Sequence, residues 1–137
     1  MREITDQPAN DEAEIRDLIT RWSQAVCDEN LAEIRADHDA DILMFDVPPP
    51  FLSRGLDAYM ETWQTFFACQ AKPVAFTFRD VEITAGKEVA FATAIGHCAD
   101  LSSGEKVQLD FRLTMGLRKL DGRWRIMHEH HSIPATT

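Results

Sequence analysis

The chain reads as one α+β domain: three N-terminal helices packed on one face of a curved, mainly antiparallel sheet. Helical periodicity is confined to the first half, whereas alternating strands joined by short glycine-bearing turns fill the second. The size agrees, because 137 residues, 45% of them apolar and 27% charged, suit a single domain with a sizeable core.

Residues 1–10 read as a flexible lead-in and 11–137 as the domain. Asp11, with Glu14 three positions on, has the form of a capping box. Ile15, Leu18, Ile19, Trp22, Ala25 and Val26 then recur at helical spacing and make one apolar stripe. Asn30 is a good cap for a short second helix that buries Leu31 and Ile34. Asp41 to Asp46 predicts a brief strand. Pro48, Pro49 and Pro50 then forbid regular structure, since proline lacks the amide donor and fixes φ.

A third helix is predicted from Leu56 to Cys69, burying Leu56, Tyr59, Met60, Trp63, Phe66 and Phe67, with Pro73 closing the region. Strands follow at Val74–Thr84, Glu88–Leu101 and Glu105–Lys119. They are separated by turns at Ala85-Gly86-Lys87 and Ser102-Ser103-Gly104. Leu120-Asp121-Gly122 turns the chain into a last strand, which completes an antiparallel meander.

That last strand carries three of the five histidines, a glutamate and a serine in five consecutive positions, His128 to Ser132. Alternate side chains of a strand face opposite ways, so His128 and His130 share one face and Glu129 and His131 the other. Whichever face turns inward receives ionisable groups that need partners, which makes the strand a wall of a polar pocket. Trp124 and Ile126 share the parity of His128 and His130, so spacing alone leaves both orientations open. The same holds one strand earlier, where Asp110, Arg112 and Thr114 alternate with Phe111, Leu113 and Met115.

Several functions are excluded. With 23 acidic and 14 basic residues the net charge is −9, which disfavours nucleic acid as a partner. No apolar run approaches the ~20 residues of a membrane-spanning helix. The acidic Met1–Glu14 segment lacks the order of a signal peptide, and Cys27, Cys69 and Cys98 form no pair motif; a cytoplasmic, reduced protein is expected. His128 and His130, supplemented by His97 or Glu129, could hold a metal. However, the His-Glu-x-x-His pattern fails at Ser132, and no metal is expected. No serine elbow or phosphate-binding glycine loop is present, so neither a covalent nucleophile nor a cofactor is expected.

The order helix, helix, strand, helix, meander resembles the nuclear transport factor 2-like superfamily. The ending Leu117-Arg-Lys-Leu-Asp-Gly-Arg-Trp-Arg-Ile-Met-His-Glu-His-His-Ser-Ile-Pro134 looks like its SnoaL-like branch. It is also similar to the association domain of calcium/calmodulin-dependent kinase II. Asp46 with Pro48-Pro49, Gly55 to Tyr59, and Arg112-Leu-Thr114 extend the resemblance over residues 12–134.

It implies a cone-shaped fold with a deep pocket, usually as a homodimer. It does not imply one activity, because members include isomerases, cyclases, dehydratases and non-catalytic assembly modules. By resemblance to ketosteroid isomerase, Asp46 matches the proton-shuttling aspartate with one residue inserted. Trp22 and Thr114 stand where that enzyme has its acidic oxyanion donors, which counts against steroid isomerisation. The resemblance turns Glu129 and His131 toward the pocket, and favours a lining that includes Asp110, Arg112 and Thr114.

The expected function is therefore proton transfer on a small organic substrate. Asp46 or a histidine, with Glu129 and His131, would move the proton. Arg112 would hold an anion or enolate, so an anionic ligand is admitted. Trp22, Tyr59, Trp63 and His128 would complete the walls. The alternative is a non-catalytic homodimeric module that binds a ligand or serves assembly.

Overall fold

The computed structural model describes residues 2–69, 74–100 and 108–136, with side chains for 7–69, 74–99 and 108–136. Helix α1 (Arg2–Cys27) leads into α2 (Leu31–Ala36), β1 (His38–Phe45), β2 (Ser53–Arg54) and α3 (Leu56–Cys69). The rest is strand: β3 (Val74–Ala85), β4 (Val89–Asp100), β5 (Gln108–Leu120) and β6 (Arg123–Ser132). Among the described residues the sheet has six strands in the order β2-β1-β6-β5-β4-β3. Every neighbouring pair is antiparallel except β1 with β6, which is parallel.

The helices cover one face of this curved sheet. The stripe of α1 is buried as its spacing predicts, with Ile15, Leu18, Ile19, Trp22 and Val26 all at or below 3% exposure. Each such side chain contributes about 1.5–3 kcal/mol when removed from water. Asn30 caps α2 by accepting from the Glu33 amide. Asp121 and Gly122 both have positive φ, 51° and 76°, as a tight two-residue turn between β5 and β6 requires.

Two boundaries differ from expectation. Helix α1 begins at Arg2, so residues 2–10 are continuous with it and Asp11 is no cap. The Asp11 carboxylate is instead buried and accepts from Lys119 Nζ at 2.9 Å, Trp124 Nε1 at 3.1 Å and Gln7 Nε2 at 3.1 Å. An acid with three donors anchors the helix to the β5–β6 hairpin, and those bonds hold its carboxyl below the ordinary range against the effect of burial. Strand β1 starts at His38, three residues before the expected Asp41, and β2 lies within the predicted loop. Pro73, Leu101, the 102–104 turn and residues 105–107 of the strand predicted at Glu105–Lys119 lie outside the described residues.

Two irregularities decide which side chains meet the helices. In β3 the register shifts between Arg79 and Glu82, with Asp80 at φ 54°. Phe76 and Phe78 thus share the inner face with Val81 and Ile83 despite opposite parity. In β6, Ile126 pairs with Leu117 and His128 with Gly116, so Met127 is an extra residue. Trp124 and Ile126 face inward before this bulge, and Glu129 and His131 face inward after it. Both orientations left open by the spacing are used, one on each side of Met127.

Candidate functional site

The bulge brings two ionisable side chains of β6 into an otherwise apolar interior, where partners from three other elements meet them. Glu129 is fully buried, and His131 is 8% exposed. The Oε1 of Glu129 lies 3.0 Å from His131 Nε2, and its Oε2 lies 2.5 Å from His38 Nε2. From α3, Tyr59 donates its hydroxyl to Oε2 at 2.9 Å while stacking on the His38 ring at 4.4 Å. His38 Nδ1 is 2.6 Å from the Ile34 carbonyl in α2, which can only accept, so Nδ1 carries a proton. On its other side His131 meets Asp46, with Nδ1 3.3 Å from Oδ1. The result is a row from the interior outward: His38, Glu129, His131, Asp46.

Charges in this row support one another. Burial works against a charged Glu129, but His38 and His131 outweigh it and draw its pKa down to about 2. Burial likewise opposes a charged His131, yet Asp46 and Glu129 raise it to about 9. Desolvation and the Glu129 charge push the Tyr59 phenol well above its usual range, so it serves as a donor.

Asp46 stands just past the end of β1 and is the member of the row nearest solvent, with its side chain 23% exposed. Its Oδ1 takes the Val47 amide at 2.8 Å and faces His131. Among the described residues its Oδ2 has no hydrogen-bond partner.

Asp46 and His131 form the polar end of a cavity of about 680 Å³. Its walls are Met44, Trp63, Phe66, Phe76, Phe111 and the 47–52 segment with its three prolines, and Arg54, Glu61, Thr62 and Thr65 also line it. Gly96 shapes one wall. A Cβ there would come within 2.2 Å of the Phe111 ring, so only glycine lets that ring lie against β4. Cys98 also lines the cavity, but burial and then nearby Cys27 push its thiol up to about 11, so it offers no thiolate at neutral pH.

Of the residues expected at the site, the structure brings Asp46, Glu129 and His131 together, with Trp63 on the cavity wall. Tyr59 and Trp22 lie behind the cavity, Tyr59 in the buried row and Trp22 with its ring 6.2 Å from that of His131. Four expectations are corrected. Arg112, Asp110 and Thr114 point to the outer face, where Arg112 Nε donates to Ser132 Oγ at 3.1 Å and Asp110 pairs with His97 at 2.7 Å. Phe111, Leu113, Met115 and Leu117 take the inner face because four apolar side chains gain by burial, whereas a guanidinium there would need partners. His128 is the fourth: its Nδ1 donates to the Leu43 carbonyl at 2.7 Å, and its ring packs on Phe45 outside.

His38 is the site residue that sequence reasoning missed. It continues the spacing of Leu31 and Ile34, a histidine where the apolar stripe of α2 would fall next. The outer-face pair His128 and His130 has ring centroids 6.4 Å apart, with Glu129 turned the opposite way. Among the described residues no group of three or more His, Cys, Asp or Glu side chains could hold a metal. Among the described residues no helix is long and apolar enough to cross a membrane.

A family model for the SnoaL-like domain matches residues 15–136. A nuclear transport factor 2-like protein of unknown function from Pseudomonas putida KT2440 is 31% identical, covering 92% of this chain and 88% of its own, with a TM-score of 0.86. A protein from Novosphingobium aromaticivorans DSM 12444, provisionally named a scytalone dehydratase, is 16% identical over 94% of this chain and 89% of its own (TM-score 0.82). A domain from Xanthomonas campestris, provisionally named a calcium/calmodulin-dependent protein kinase II association domain, is 16% identical over 90% and 88% (TM-score 0.76). At that identity the last two share the fold alone. No curated protein matches the sequence.

Proposed function

The chain belongs to the SnoaL-like domain family, and we propose that it is a cofactor-independent enzyme moving protons on a small, largely apolar organic substrate. Dehydration of a hydroxy-carbonyl compound is the reaction that suits its site best. One observation carries this reading: Asp46 Oδ2, a carboxylate oxygen with no partner among the described residues, stands at the cavity with an imidazole beside its other oxygen. Asp46 would accept the proton from the carbon next to the carbonyl. Once protonated it holds His131 less tightly, and the His131 Nδ1 proton becomes available to the departing hydroxyl. The C–H and C–O bonds break, a C=C bond forms and water leaves. Transfer of the proton from Asp46 to His131 then restores both groups, so no co-reactant is needed. The aromatic walls would exclude water and seat a ring. The dehydratase name of one structural relative points the same way.

The test is deuterium uptake from heavy water, together with water loss, across a panel of apolar enolisable ketones and β-hydroxy ketones. Asp46→Asn is expected to slow the wild-type rate about 10²–10⁴-fold, the usual contribution of a general base, with the variant still folded at the assay temperature. Equal rates would remove Asp46 from the chemistry. No uptake from any member of the panel would end the proton-transfer reading.

The outer sheet face favours a homodimer, and with it the second reading, a ligand-binding or assembly module. Val89 and Phe91 there are 65% and 51% exposed, unusual for adjacent large apolar side chains on a strand. Light scattering at micromolar concentration is expected to return twice the monomer mass; a monomeric value would refute the dimer. A cytoplasmic setting suits the three free cysteines.

A further inference from the structure

The proposed chemistry employs Asp46 and His131 and leaves three buried titratable side chains, Glu129, His38 and Tyr59, without a part. Such a network is not needed to fill space, since well-packed apolar residues of the same volume are often at least as stable. Its proton inventory shows what it can do. His38 Nδ1 gives its proton to the Ile34 carbonyl. The 2.5 Å approach of His38 Nε2 to Glu129 Oε2 requires a proton between them. Tyr59 then spends its own proton on the remaining lone pair of Oε2. Only Oε1 is left, and its one hydrogen-bond partner among the described residues is His131 Nε2 at 3.0 Å.

From this arrangement we infer that Glu129, oriented by His38 and Tyr59, is the positioning residue that keeps His131 doubly protonated with Nδ1–H directed at Asp46. The role given to the dyad rests on the proton-transfer reading; the protonation state does not. A ring flanked by carboxylates on both nitrogens holds both protons. The groups that face His131 are Asp46 from the end of β1 and Glu129 on β6, with His38 and Tyr59 acting through Glu129. Its other neighbours, Trp22 from α1 and Phe111 from β5, carry no charge. His131 is thus set to give a proton, and Asp46 is the group left to take one.

The experiment is nitrogen NMR of the full chain labelled at histidine, following both ring nitrogens of His131 from mildly acid to alkaline pH without any ligand. Wild type is expected to show Nδ1 and Nε2 both protonated at pH 7.5. In Glu129→Gln, which keeps the shape and removes the charge, the midpoint is expected to fall by about 2 pH units. A wild-type His131 with a single ring proton at pH 7.5 overturns the inference, and this result needs no variant to fold. An unchanged midpoint in Glu129→Gln overturns it as well. Failure of deuterium uptake alongside a doubly protonated His131 would instead sink the proposed reaction and leave the positioning role intact.

Discussion

Glu129→Ala is expected to lower the unfolding free energy by about 3–5 kcal/mol, measured by urea denaturation. Glu129 has no exposed surface, and both its oxygens are engaged. Truncation takes the acceptor from His38 Nε2, His131 Nε2 and the Tyr59 hydroxyl, which keeps only its 2.8 Å contact with His38 Nε2, in a largely buried interior. Each unsatisfied buried donor costs about 1–3 kcal/mol. The void left by the side chain adds to this. Folded domains have only about 5–15 kcal/mol in hand, so the variant should stand near the edge of folding. Glu129→Gln should cost less, because it keeps one acceptor oxygen and the side-chain volume. A loss under about 1 kcal/mol for the alanine variant would mean that the carboxylate is not the hub described.

The helices were legible because their burial follows from residue spacing alone. Leu18, Trp22, Tyr59 and Trp63 are buried where the stripes place them. The short turns were legible for the same local reason, as Asp121-Gly122 shows. Strand faces were a different matter. Period-two reasoning assumes an unbroken register, and one added residue at Met127 reverses it without leaving any mark in composition. For that reason Trp124 and Glu129, of opposite parity, both lie inside.

Arg112 was misplaced for another reason. The resemblance favoured the face on which relatives carry charged groups, while the plain apolar count of Phe111, Leu113, Met115 and Leu117 pointed correctly inward. His38 escaped notice because its partners are remote in sequence. Glu129 is 91 positions away, and nothing local distinguishes a histidine that will find it. Asp46 was singled out by its likeness to the ketosteroid isomerase aspartate, and its link to His131 needed the parallel pairing of β1 with β6.

Stability should also fall as pH rises from neutrality, and the cause can be isolated at His131. Its folded pKa of about 9 lies above the ordinary 6.5, so folding favours the protonated ring. That contribution is complete below pH 6.5 and is lost as pH climbs through 9. The shift corresponds to roughly 3 kcal/mol. Glu129 is displaced the other way, from 4.5 to about 2, so its contribution is complete above pH 4.5 and is lost as pH falls through 2. The Glu129–His131 contact contributes to both displacements, alongside Asp46 for His131 and His38 for Glu129, so the acid and alkaline limbs overlap and must not be added. Between about pH 4.5 and 6.5 the pair is intact. Urea curves for wild type and His131→Gln at pH 6, 7.5 and 9 should therefore converge as pH rises, the gap between them closing by roughly 3 kcal/mol. Two curves that stay parallel across this range would show that His131 carries no proton that folding retains, and the pair with Glu129 would lose its ionic character.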